Sequence, residues 1–291
     1  MNLDKNIISW LLETSNPAIE YRTKKELLNE KTNNSKVIDW INNILPTDWK
    51  NTKGLWLTYY YTAIAECGIN GSELGIKKSD VTNNLKNSRF GYGCGDFMQL
   101  RAFIMLGFEN ELKNIGIMDK LNEKQLLDGG FLCLQFLDKK NSPKSCVKNN
   151  NLALMLLSEC KKKNVDLSID KKLLEYFWNH NLFYKSTDLN SLILNSREGW
   201  RTIDTFYPFE VMRVGLQNIV EAFCVLGYGK DKKLKEAWNI LESKKDTDGK
   251  YILDGTLTKS YLPKTKEKVG KPSKWITFYT LLAKKYKDKV E

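Results

Sequence analysis

Apolar helical runs alternate with polar ones along this chain, and a glycine stands where several of the apolar runs stop. Trp56-Leu-Thr-Tyr-Tyr-Tyr-Thr-Ala-Ile-Ala-Glu-Cys67 and Phe97-Met-Gln-Leu-Arg-Ala-Phe-Ile-Met-Leu106 are apolar around most of a helical circumference, while strand-like alternation is nearly absent. The chain therefore reads as all-α. Cys67-Gly68, Leu106-Gly107 and Leu226-Gly227 each close an apolar run, where glycine supplies the left-handed residue that a helix end favours. The first two lie 39 residues apart, which suggests a helix-pair repeat.

Turns containing glycine and an aromatic precede several apolar runs: LPTDWKNTKGLW at 45–56, RFGYGCGD at 89–96, LLDGGFLC at 126–133 and KKDTDGKYIL at 244–253. Pairing each polar helix with the apolar one after it gives 3–14 with 17–29, 36–45 with 56–67, 78–88 with 95–106, 110–125 with 146–158, 168–179 with 209–226, and 231–244 with 273–286. A helix that is apolar all round must be enclosed by protein, whereas an amphipathic one can face water. Alternation over six such hairpins predicts a closed double ring, an α/α toroid (α6/α6 barrel) forming one domain over 1–291, with an open solenoid as the other arrangement.

Composition narrows the classes further. With 42% hydrophobic and 11% aromatic residues the chain can build a sizeable core. No window approaches the eighteen or so apolar residues of a membrane span, and MNLDKNIISWLLETS lacks a signal-peptide pattern, so a soluble, cytoplasmic protein is expected. The six cysteines are few and irregularly spaced, as free thiols or metal ligands would be. The net charge of +11 comes mainly from lysines scattered along the sequence without a recognition motif. A solvated exterior is the plainer reading, and nucleic acid is disfavoured as a partner.

Gln125-Leu-Leu-Asp-Gly-Gly-Phe131 resembles the Gln-x-x-Asp-Gly-Gly-aromatic turn of the prenyltransferase and squalene-cyclase repeat proteins, with KKDTDGKYIL a weaker copy. Together with WLLETSNPAIEYRTKKELL near the N-terminus and GKPSKWITFYTLL near the C-terminus, the whole chain resembles the squalene-cyclase-like group of bacteria and archaea. The resemblance implies the α/α toroid fold and points to prenyltransferase-like or cyclase-like activity. Two departures stand out. The Asp-x-Asp-Asp motif with which class II cyclases protonate an alkene is missing, and Asp246-Thr-Asp248-Gly249 is only the polar half of a turn. The zinc-binding Asp and Cys of prenyltransferase β-subunits appear here in reverse order, as Cys94-Gly-Asp96.

On the hairpin scheme the cysteines sort by end. Cys67, Cys160 and Cys224 fall near the ends of apolar helices, whereas Cys94, Cys133 and Cys146 lie in connections that lead into apolar helices, or in their first turns. His180, the sole histidine, also falls in such a connection. Three thiolates and an imidazole are a set that zinc accepts tetrahedrally at about 2.0–2.3 Å, so Cys94, Cys133, Cys146 and His180 are candidate ligands; the resemblance supports this set. The competing reading is that the cysteines are small buried hydrophobes and the histidine an ordinary capping residue.

Arg22, Arg101 and Arg213 sit on apolar helices and are candidates for an anion site if they face the axis, or for structural ion pairs if they do not. Asp96 joins them at the start of one such helix, and Trp56, Tyr60 and Trp275 are candidates to line a central funnel or simply to pack. The function expected is an enzyme of the prenyltransferase or cyclase type. A bound zinc would activate a thiol or water on an isoprenoid or peptide substrate. The alternative is a non-catalytic binding or scaffold protein, with a structural metal and a hydrophobic or anionic small molecule or peptide in the cavity.

Overall fold

The computed structural model describes residues 4–87, 93–132, 145–167, 169–185, 188–193, 201–209, 213–256 and 262–289. The described chain is mostly helical: α1 (Lys5–Leu11), α2 (Pro17–Arg22) continuing into a π-helical turn (Thr23–Leu27), α3 (Ser35–Ile44), α4 (Leu55–Glu66), α5 (Lys78–Asn87), α6 (Cys94–Met105), α7 (Glu109–Ile115) and α8 (Leu121–Lys124). There follow α9 (Val147–Lys162), α10 (Asp170–Asn179), α11 (Leu216–Val225), α12 (Lys235–Glu242), α13 (Leu262–Thr265) and α14 (Lys274–Lys289). A small antiparallel pair, β1 (Tyr184–Lys185) and β2 (Asp188–Leu192), has no counterpart in the sequence pattern, and neither does the short α13.

Two kinds of helix alternate, as the pattern predicts. In α4, α6, α9, α11 and the first ten residues of α14 nearly every side chain from the second turn on is buried, polar ones included. By contrast α3 buries only Val37, Ile41 and Ile44, and α12 only Ala237, Trp238 and Leu241, each a single stripe at helical spacing. The buried helices pack in chain order, α4 on α6, α6 on α9, α9 on α11 and α11 on α14, and α14 in turn meets α2 and its π-helical turn. Their apolar residues form one continuous core.

Two of the six pairings differ from the periodicity. The segment 110–125 divides into α7 and α8 because Gly116, at φ +66°, ends the first helix in a left-handed cap. Within the segment 209–226 the helix begins at Leu216 and residues 213–215 ahead of it are not helical; residues 201–209 form an irregular strap whose Thr205 and Phe206 bond to 252–255.

The connections into α9 and α14 are built alike, bond for bond. Leu126 N–H donates to Gly130 O and Asp246 N–H to Lys250 O, both at 2.8 Å. Gly129 and Gly249 take the same left-handed conformation, at φ +87° and +79°. Phe131 N–H reaches Asn150 Oδ1 at 2.7 Å and Tyr251 N–H reaches Thr277 Oγ1 at 2.9 Å. Each turn therefore pins an aromatic residue to the first turns of the buried helix that follows. In this way the QLLDGGF segment acts as a structural connector, and Ser273, whose hydroxyl accepts from Ile276 N–H at 3.1 Å, caps α14. No helix among the described residues is long and apolar enough to cross a membrane.

Candidate functional site

Charged side chains stand where the buried helices are otherwise apolar. Glu66 ends α4, Arg101 lies in α6, Glu159 and Lys162 in the last turns of α9, Glu221 in α11 and Arg22 at the end of α2. They meet in one buried chain of contacts. Arg22 donates to Glu26 at 2.5 and 2.9 Å, to the Glu66 carbonyl at 3.0 Å and to the Tyr279 hydroxyl at 2.7 Å. Tyr279 donates to Glu66 Oε2, and Arg101 NH1 donates to Glu66 Oε1 at 2.6 Å. Arg101 NH2 lies 3.7 Å from Glu159, whose carboxylate accepts from Lys162 at 3.0 Å, and Lys162 Nζ is 2.6 Å from Glu221.

Buried ions are tolerated only when paired, and the pairing sets their protonation. Burial alone would lower the Lys162 pKa, but the Glu159 and Glu221 carboxylates outweigh it and hold that amine well above the usual lysine range. Burial would likewise raise Glu159, yet Lys162 and Arg101 keep it below the ordinary carboxylate value. Glu221 goes the other way: burial, reinforced by the like charge of Glu159, raises its pKa and Lys162 only partly offsets this. The Arg22 guanidinium also lies over the Phe278 ring at 4.6 Å and the Tyr279 ring at 5.0 Å.

A cavity of about 20 Å³ adjoins this network, with Glu66 and Arg101 on one side. Thr62 of α4, Met98 of α6, Leu152 and Met155 of α9, and Asn218 of α11 line it, and Pro208 of the strap and Arg213 and Val214 just ahead of α11 complete the wall. That volume admits one water-sized group. Arg101 Nε and NH2 and all three Arg213 nitrogens are buried at its border. Glu66 uses both carboxylate oxygens as acceptors, one from Arg101 and one from Tyr279.

The remaining candidates divide. Arg22 and Arg101 belong to the ion network and Arg213 to the cavity wall, stacked on Phe206 at 5.1 Å. Asp96 accepts from Gly93 N–H at 2.9 Å and so closes the N-terminus of α6. Trp275 is fully buried against Phe209 and Tyr207. Trp56 is 64% exposed and rests on Tyr59, while Tyr60 packs edge-on to Trp49. The aromatic candidates thus form separate clusters.

Of the four candidate metal ligands, Cys133 lies outside the described residues. Cys94 begins α6, Cys146 is the N-cap of α9, and both are half-buried. His180 caps α10, its Nδ1 lies 2.7 Å from Tyr176 O, and its ring stacks on Tyr176 at 4.2 Å. Cys146 also lies close enough to Tyr176 to act on its charge. Among the described residues no three His, Cys, Asp or Glu side chains converge on a point that could hold a metal ion.

Glu66, Glu159, Lys162, Glu221 and Tyr279 were not among the residues that sequence reasoning singled out. The signal was present: a lone carboxylate inside an apolar run, in TAIAEC, MLLSEC and NIVEAFC. Comparison of the chain with protein-family models, with curated proteins and with solved structures returns no match.

Proposed function

We propose that this protein is an α/α toroid of the prenyltransferase and squalene-cyclase repeat type that acts as a binding protein. The wall formed by Arg101 and Arg213 takes the anionic end of a hydrophobic small molecule or peptide, with the cavity widening beyond the single water-sized group that it admits in the structure. The toroid reading is supported by the packing of buried helices in chain order, and by Arg22 and Lys25, which bond from the first of them and its π-helical turn to the Glu66 and Gly68 carbonyls after α4. The observation that carries the binding reading is the cavity lining, where two guanidinium groups face one carboxylate amid Met98, Leu152, Met155 and Val214. Charge-assisted hydrogen bonds from arginine favour a carboxylate or phosphate. Cyclisation by protonation has no support at this place, since the bordering carboxylate, Glu66, already accepts from two donors.

The test is calorimetric titration with farnesyl diphosphate, a long-chain fatty acid and a hydrophobic peptide with a free carboxylate. One of these should bind, and Arg213→Met should weaken it at least tenfold while the fold persists. Absence of binding in all three, or equal affinity in the variant, overturns the reading.

A zinc enzyme is the second reading, favoured by His180. A contact of Nδ1–H with the Tyr176 carbonyl directs Nε2 outward as a lone-pair donor, the second-shell arrangement of a ligating histidine. Zinc, when bound, would supply a thiolate or hydroxide nucleophile at neutral pH. The described residues do not by themselves complete a ligand set, so no step is derived through the metal. Metal analysis of tag-free protein, with His180→Ala as comparison, decides it: stoichiometric zinc that the variant loses is required.

A further inference from the structure

Three segments far apart in sequence hold most of the chain's net charge. Residues 160–163 (CKKK), 228–235 (YGKDKKLK) and 284–289 (KKYKDK) contain eleven lysines and two aspartates, leaving 35 basic and 33 acidic residues in all the rest. The fold brings the three together. They are the end of α9, the connection after α11 and the end of α14, three helices packed in series. The Gly229 Cα approaches the Lys287 backbone so closely that an added Cβ would stand 3.0 Å from Lys287 Cα. Lys287 lies over Trp238 at 4.5 Å, Lys233 over Trp178 at 5.0 Å, and both Lys162 and Lys289 over Tyr286.

Lys162 is engaged in the buried network, Lys284 with Glu242, and Lys285 with the carbonyls of Glu26 and Leu27. The other eight, Lys287 half-buried and the rest exposed, remain at this end of the molecule. The acidic residues among or beside them are Asp166, Asp170, Asp231, Glu236 and Asp288, and Asp231 is turned to its own backbone, accepting from Lys233 N–H at 2.8 Å.

We infer that this basic end is an interaction surface for the phosphate backbone of a nucleic acid, bound without sequence preference. Clustered lysines release counterions from a phosphate polymer, which gives affinity without base recognition. A bilayer fits less well. A membrane-docking face inserts apolar side chains, and the exposed large apolar residues among those described, Leu55, Trp56, Leu127, Leu189 and Val269, all lie outside the three basic segments. The sequence displays three separate lysine runs; the helix ends gather them.

The test is fluorescence anisotropy with a labelled 20-nucleotide oligothymidylate and a 20-base-pair duplex, across 50–300 mM salt. Wild type should bind both, with log affinity falling linearly against log salt. The triple variant Lys232→Gln, Lys233→Gln, Lys287→Gln should lose on the order of 100-fold on the single strand at 0.1 M salt, and its salt slope should shrink by about 2. A control variant, Lys36→Gln with Lys53→Gln, should match wild type. Circular dichroism melting establishes that each variant is folded. Lack of binding at 50 mM salt, equal losses in test and control variants, or binding only to anionic phosphatidylserine vesicles overturns the proposal.

Discussion

Arg22 donates a hydrogen bond of 2.7 Å to the hydroxyl of Tyr279, 257 residues further along the chain. The same hydroxyl donates to Glu66, which also binds Arg101, so helices from the beginning, the first half and the end of the sequence share one buried polar contact. Removing one partner of such a group strands the others. Glu66→Gln should destabilise the protein by about 3 kcal/mol, because Arg101 loses its closest counter-charge and Arg22 one of its two. Tyr279→Phe should cost about 1–3 kcal/mol. Urea unfolding followed by circular dichroism measures both, and a variant at wild-type stability would show the network to be energetically idle.

A second prediction concerns pH. Glu267 is buried beside the start of α14, where it accepts from the N–H groups of Lys274 and Trp275 at 2.9 and 3.4 Å. Burial dominates these contacts and pushes its pKa up from 4.5 to about 7. A carboxyl with a raised folded-state pKa stabilises the fold below its unfolded value and loses that contribution as pH rises through the folded value. Stability should therefore fall by about 3 kcal/mol between pH 4.5 and 7 from this group. Glu267→Gln should flatten that part of the profile, and an unchanged profile would assign the decline elsewhere.

The two matched turns give a comparison with a built-in control. A Cβ on Gly129 would stand 2.0 Å from the backbone oxygen of Lys172 in α10, whereas one on Gly249 meets only the tip of Ile7 at 3.3 Å. Both positions have positive φ, so alanine costs about 1–2 kcal/mol in either. Gly129→Ala must in addition displace α10, and should lose at least twice as much. Paired thermal melts of the two variants check this.

Thiol chemistry should follow depth. Burial pushes the Cys67, Cys160 and Cys224 thiols well above the ordinary range, while Cys94 and Cys146 are half-buried. In a Cys133→Ser background, a thiol reagent should label two cysteines in native protein and five after unfolding. Rapid labelling of Cys67 would mean that the core around Arg22 opens.

How far the sequence could be read depends on what each signal measures. Helical periodicity reports burial of whole faces, so α4 and α6 were legible to within a residue and α14 to within three, and Gly68, Gly107 and Gly227 marked the ends of α4, α6 and α11. The start of α11 was placed seven residues early, at Phe209, an apolar residue that with Tyr207 fills space against Trp275 instead of opening a helix. The matching of the α9 and α14 turns is carried by backbone bonds and by Asn150 and Thr277, residues with little in common as letters. The candidate site suffered most. Arg22, Arg101 and Arg213 were visible as charges on apolar helices, but their partners could be found only by noticing Glu66, Glu159 and Glu221 as exceptions within apolar runs. The sorting of Cys94 and Cys146 away from Cys67, Cys160 and Cys224 did follow from position alone.

The bond between Arg22 and Tyr279 also bears on how the chain is made. At a synthesis rate of about 5–20 residues per second, the 257 positions from Arg22 to Tyr279 take roughly ten to fifty seconds to emerge. For all that time the first buried helix waits at the ribosome with its guanidinium lacking the last helix, and the nascent protein must be kept from wrong partners until its final turn arrives.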